Sequence, residues 1–131
     1  DEALLALRPI ITSIRNTAAT SKEERFQNDT LRPVIKLQSE LLLSAFSNYV
    51  RKHKNVFYEK NVENRLSYIE NAIQRDIKFR NSLKGMVIGQ FTLKEYEEYI
   101  TNSSALNKRM MNIVIERLQA NIQAFAEDIC A

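Results

Sequence analysis

The sequence predicts an all-α protein, a helical bundle of three long helices with two or three short ones. Apolar residues recur at three- and four-residue spacing through most of the chain, the period of a buried helix face. Capping sequences precede these runs, as in Ser21-Lys22-Glu23-Glu24 and Thr92-Leu93-Lys94-Glu95. Two glycines and two prolines in 131 residues are too few for the tight turns of a β-sandwich or barrel. At this length the chain reads as one domain, 1–131, with an N-terminal arm over 1–21 and a helical core over 22–128.

Residues 2–7 suit a short helix ending ahead of Pro9, and Thr12–Ser21 is polar with weak helical character. Ser21 caps a short helix to about Asn28. Asp29-Thr30 restarts the chain, and Pro33 falls in the first turn of the next helix, where its missing N–H costs little. That helix runs to about Lys54. Its stripe of Leu31, Val34, Ile35, Leu41, Leu42, Ala45, Phe46 and Tyr49, widened by Leu37, Leu43 and Val50, predicts a central element packed on several sides. Asn61 caps a second long helix, with Val62, Leu66, Ile69, Ile73, Ile77 and Val87 on one face as far as Ile88. Gly89 marks its end; with Gly85 it also gives a GxxxG-like spacing that permits close helix approach. Thr92 starts a short helix to about Asn102 with Leu93, Tyr96 and Ile100 inward, and Glu95, Glu97 and Glu98 read as solvated. The last helix starts at Asn102 or Ser103 and runs to about Asp128, along Leu106, Met110, Ile113, Val114, Leu118, Ile122, Phe125 and Ile129.

Nineteen basic against sixteen acidic residues leave a net charge of +3. The densest cluster, Arg51-Lys52-His53-Lys54, suits a helix C-terminus, whose carbonyls and dipole favour cations. Nucleic acid is not an expected partner, because a large one-sided excess with interleaved aromatics is lacking. A single histidine, His53, and a single cysteine, Cys130, exclude thiolate zinc sites, paired-histidine motifs and the Glu-x-x-His pairs of di-iron bundles. No metal and no cofactor are expected. His53 has no carboxylate beside it to orient a general base, and Cys130 has no neighbouring base. No apolar run approaches the ~20 residues of a membrane span, so no membrane association is expected, and the cytoplasm is the expected compartment.

One pattern stands out. At 100° per residue, Gln38 falls inside the first long stripe, Arg80 inside the second, and Asn121 inside the third with Arg117 on its flank. Asp76 stands four residues before Arg80, the spacing of a same-face ion pair. Buried polar groups must be partnered. The five therefore read as a network fixing helix register or a dimer interface, or as an inter-helix pocket in which Arg80 and Arg117 hold a small anionic ligand, unless the stripe rotates at the Arg80 turn and leaves Arg80 at the rim.

The segments Phe26–Gln38, Asp76–Gly85, Phe91–Tyr96 and Leu106–Met111 resemble a group of short helical bacterial proteins familiar from Bacteroidetes, over about residues 22–120. Some members carry the name glyoxalase, but the resemblance implies no established activity. Metal-dependent glyoxalases use β-rich modules or two-metal sites with several histidine ligands, a chemistry one histidine cannot supply. The expected function is a non-catalytic module that binds a protein partner or itself as a homodimer. Tyr58, Tyr68 and Tyr99, with Phe57 and Phe79, are its candidate anchors, or else they pack against the short helices. A small-ligand binder or enzyme around Asp76 and Arg80 is the alternative.

Overall fold

The computed structural model describes residues 1–122, in which helices and turns occur without a strand. The expected continuation to Asp128, with Phe125, Ile129 and Cys130, lies outside the described residues. The helices are α1 (Glu2–Ala6), α2 (Lys22–Phe26), α3 (Arg32–Leu37), α4 (Ser39–Lys52), α5 (Val62–Arg75), α6 (Ile77–Ile88), α7 (Leu93–Ile100) and α8 (Ser103–Ala120). A π-turn over Gln27–Leu31 joins α2 to α3, and a 3-10 turn spans Val56–Glu59. The caps lie where the sequence places them. Ser21 Oγ accepts the Glu24 N–H at 3.1 Å, Asn61 Oδ1 accepts the Asn64 N–H at 2.9 Å, and Thr92 and Glu95 form a reciprocal capping box. Pro33 sits in the first turn of α3.

Two of the expected long helices are divided. The first bends at Gln38, with φ −90° and ψ 8°, while hydrogen bonding continues from Gln38 N–H to Val34 and from Leu42 N–H to Gln38. The second breaks at Asp76, which is extended at φ −86° and ψ 98°. There the carboxylate accepts the Phe79 N–H at 3.2 Å, replacing continued helix by a cap. Periodicity does not register this break, because Ile73 and Ile77 remain four apart across it; Ile73 is buried and Ile77 is 69% exposed.

The central element is α8, not the helix through residues 31–54. It buries Leu106, Met110, Met111, Ile113, Val114, Ile115 and Leu118, a set covering most of its circumference, and it packs on α3, α4, α5, α6, α7 and the π-turn. α4 buries a single face, Leu42, Phe46 and Val50, and leaves Leu41 outside. Val62, Leu93, Tyr96 and Ile100, all expected inward, are also exposed. A helical wheel shows which residues share a face; it does not show whether a neighbour covers that face. Of the expected exposed anchors, Phe57 and Tyr99 are buried, and Tyr58, Tyr68 and Phe79 are half-buried. Phe57 packs edge-on against Phe46 with centroids 5.4 Å apart, so packing accounts for it.

Two side chains of the arm, Arg8 and Asn16, tie it to the core; Asn16 Nδ2 donates to Asp29 Oδ1 at 2.6 Å and its Oδ1 accepts from Asn28 Nδ2 at 2.9 Å. Arg8 donates from Nη1 to Glu95 Oε2 at 2.6 Å, and from Nη2 to Glu95 Oε1 and the Gln90 carbonyl at 2.7 Å each. Glu95 also accepts the Thr30 hydroxyl at 2.9 Å and the Thr92 N–H at 2.8 Å. The Arg8 and Glu95 side chains are only 6% and 15% exposed, which corrects the reading of Glu95 as solvated. Burial by itself would raise the Glu95 pKa. The Arg8, Thr92 and Thr30 hydrogen bonds and the guanidinium charge outweigh it and hold the carboxyl below its usual value.

Candidate functional site

The site forms where α4 meets the elbow between α5 and α6. Asp76 ends α5 and caps α6 because an aspartate can trade a helical residue for a bond to an orphan N–H. Its Oδ1 takes the Phe79 N–H, and its Oδ2 accepts the Tyr49 hydroxyl at 3.1 Å, which ties α4 to the elbow. Tyr49 is stacked between the Phe79 and His53 rings, at centroid distances of 4.2 and 4.0 Å. One turn beyond Tyr49, α4 ends at Lys52; His53 caps it, and its Nδ1 lies 2.8 Å from the Tyr49 carbonyl. Lys54 and Asn55 then take left-handed backbone, at φ 61° and 59°, to reverse the chain.

Two open clefts meet at Tyr49, His53, Asp76 and Lys78. The larger, about 740 Å³, runs between α4 and α6 and has an apolar floor of Leu41, Ala45, Phe79 and Met86. Arg51, Lys52, His53 and Lys78 stand around it. The smaller, about 640 Å³, lies over the elbow and adds Arg75. Asp76 is the one carboxylate among the described residues lining either cleft. The Phe79 N–H chiefly holds it below its ordinary pKa, against a raising effect of partial burial, with help from the Tyr49 hydroxyl and the nearby His53. The Tyr49 hydroxyl is pushed up to about 12, first by burial and then by its bond to the Asp76 carboxylate. At neutral pH Tyr49 is therefore a donor already spent on Asp76, and Asp76 is an ionised acceptor with both oxygens engaged. The arrangement offers cations and an apolar floor, which suits binding.

Of the five residues singled out in the sequence, Asp76 alone lines the clefts. Half-buried Gln38 donates from Nε2 to the Met86 carbonyl at 3.2 Å, bracing the bend above α4 against the last turn of α6. Asn121 donates to the Arg117 carbonyl at 2.8 Å, within the end of α8. Arg80 is half-buried on α6 and makes no ion pair with Asp76; among the described residues the ion pair is that of Arg8 with Glu95. Among the described residues no hydrogen bond links Gln38, Asp76 and Arg80 to one another or to the Arg117–Asn121 end of α8. The projection that placed them together assumed unbroken helices, and the break at Asp76 removes the shared face on which Asp76 and Arg80 were to meet. Sequence reasoning missed Lys78, the role of Tyr49, and the Arg8–Glu95 pair. An Asp two residues before Lys78 was a legible cap signal. Arg8 had none, since its partner lies 87 residues away.

No protein-family model, curated protein or solved structure matches the chain. Among the described residues no helix is long and apolar enough to cross a membrane, and no group of three His, Cys, Asp or Glu residues is placed to hold a metal ion.

Proposed function

We propose that the protein is a non-catalytic, cytoplasmic binding module that takes an acidic, amphipathic segment of a protein partner in the α4–α6 cleft. The observation that carries this reading is the cleft's composition. Arg51, Lys52, Lys78 and the imidazole of His53 surround an apolar floor, and the one carboxylate there, Asp76, is satisfied internally. A helix laid in such a cleft would bury its apolar stripe on Leu41, Phe79 and Met86 and meet cations at its edges. Self-association belongs to the same reading, because α7 turns Leu93, Tyr96 and Ile100 outward and exposes Glu97 and Glu98 as well. A small anionic ligand in the same cleft is the second reading; about 740 Å³ falls within the usual ~300–1,000 Å³ of small-molecule sites.

The test is a titration of the isotope-labelled protein with a synthetic peptide of alternating Leu and Glu at helical spacing, followed by NMR. Shifts should concentrate on Tyr49, Lys52, Lys78 and Phe79, weaken with salt, and vanish in Lys52→Glu/Lys78→Glu. A peptide that perturbs none of these, or binds the double variant equally, refutes the proposal.

A further inference from the structure

A third cleft, of about 410 Å³, lies on another face, between α8 and the π-turn with the start of α3. It brings together Arg32, Lys108 and Arg109, with the amides of Gln27 and Asn112 beside them. The π-turn makes this possible. In an α-helix, residues five apart point about 140° away from each other. Here the Arg32 N–H bonds back to the Gln27 carbonyl, closing a wider turn, and both side chains line the same cleft. Single π-turns inside helices recur at functional sites for this kind of reason. Gln27 Oε1 then accepts from Arg109 Nη1 at 2.9 Å, which orients that guanidinium across the gap between the two helices.

Among the described residues none of the three cations is in an ion pair. Arg32 and Arg109 are half-buried, so their charges are less well screened than those of free surface residues. Three cations against one exposed carboxylate, Glu116, leave the cleft with an excess of positive charge. Guanidinium groups offer planar, forked donors matched to tetrahedral oxyanions. Glu116 also lines the cleft, exposed, where it opposes a second anionic group and can accept from a hydroxyl.

We propose that this cleft binds the phosphate group of a small, hydroxylated phosphate monoester, through Arg32, Lys108 and Arg109. The site is independent of the α4–α6 cleft.

Calorimetric titration at low ionic strength with glycerol 3-phosphate and, separately, inorganic phosphate tests it. Glycerol 3-phosphate should bind more tightly than inorganic phosphate. Arg32→Gln and Arg109→Gln should each weaken it about tenfold, the range of one charge-assisted hydrogen bond. The exposed Lys108→Gln gives a variant with little risk to folding and should also weaken binding. Glu116→Gln should tighten inorganic phosphate binding, a gain that damaged folding does not produce. Lys52→Glu/Lys78→Glu, on the other face, should weaken binding far less than Arg109→Gln does. The proposal is overturned if inorganic phosphate binds as tightly as the monoester, if Glu116→Gln gains nothing, or if the distant variant weakens binding as much as Arg109→Gln does.

Discussion

Glu95→Gln removes the charge that answers Arg8 while keeping the shape of the side chain. In the native protein the carboxylate receives four hydrogen bonds, two of them from a guanidinium whose side chain is 6% exposed. Removing one partner of a buried pair leaves the other charge desolvated and unanswered, at a cost of about 3–5 kcal/mol. Glu95 retains 15% exposure, and a glutamine keeps part of the cap, so the lower end, about 3 kcal/mol, applies. That is a large fraction of the ~5–15 kcal/mol by which domains are stable. Urea unfolding followed by circular dichroism at pH 7 measures it. The second arm is Arg8→Met/Glu95→Gln, which should be less destabilised than Glu95→Gln alone, because no unpaired charge remains. Release of the arm should also expose Arg15 to faster tryptic cleavage. The pH dependence has a definite sign. The folded pKa of Glu95 lies below its unfolded value near 4.5, so the pair's stabilisation is present above that pH and is lost as the pH falls through the lowered folded value. Glu95→Gln should lack that acid-dependent component. A cost for Glu95→Gln under about 1 kcal/mol, the range of an exposed pair, would refute the reasoning, and so would strict additivity with Arg8→Met.

Three further outcomes follow from the geometry. In a spectrophotometric titration of the tyrosines, Tyr49 should ionise at about pH 12, and Asp76→Asn should lower that value; an unshifted Tyr49 would break the assigned bond. Asp76→Ala and Arg80→Ala should be additive in stability, since the two side chains do not pair; measurable coupling would restore the ion pair that helical spacing suggests. Gly85→Ala should stabilise the protein by about 1 kcal/mol, the helix-propensity difference, because an added Cβ meets nothing within 4 Å. Gly89→Ala should gain less or lose stability, because its Cβ would sit 3.0 Å from the Gly85 carbonyl oxygen; equal gains in chemical denaturation would contradict both placements.

Much of the fold is local, and that part was legible. Ser21, Asn61 and Thr92 cap helices because each satisfies an N–H three residues along, and Pro33 occupies the turn where its missing donor is no loss. A helix and its cap are decided within about four residues, so the sequence by itself determined that the chain is all-α and where most helices start. Only the tertiary structure decided what lies between them. Asp76 had two local choices, a cap for Phe79 or a partner for Arg80, and the structure pairs the cap with a bond from Tyr49, 27 residues earlier. Glu95 looked like its neighbours Glu97 and Glu98 until Arg8 reached it from the far end of the chain. The α4–α6 cleft and the cleft between α8 and the π-turn likewise need side chains from separate helices. Hydrogen-bonded turns depend on near neighbours and are written in the local order of residues. Burial, charge pairing and clefts depend on which faces meet, and that is settled when the whole chain packs.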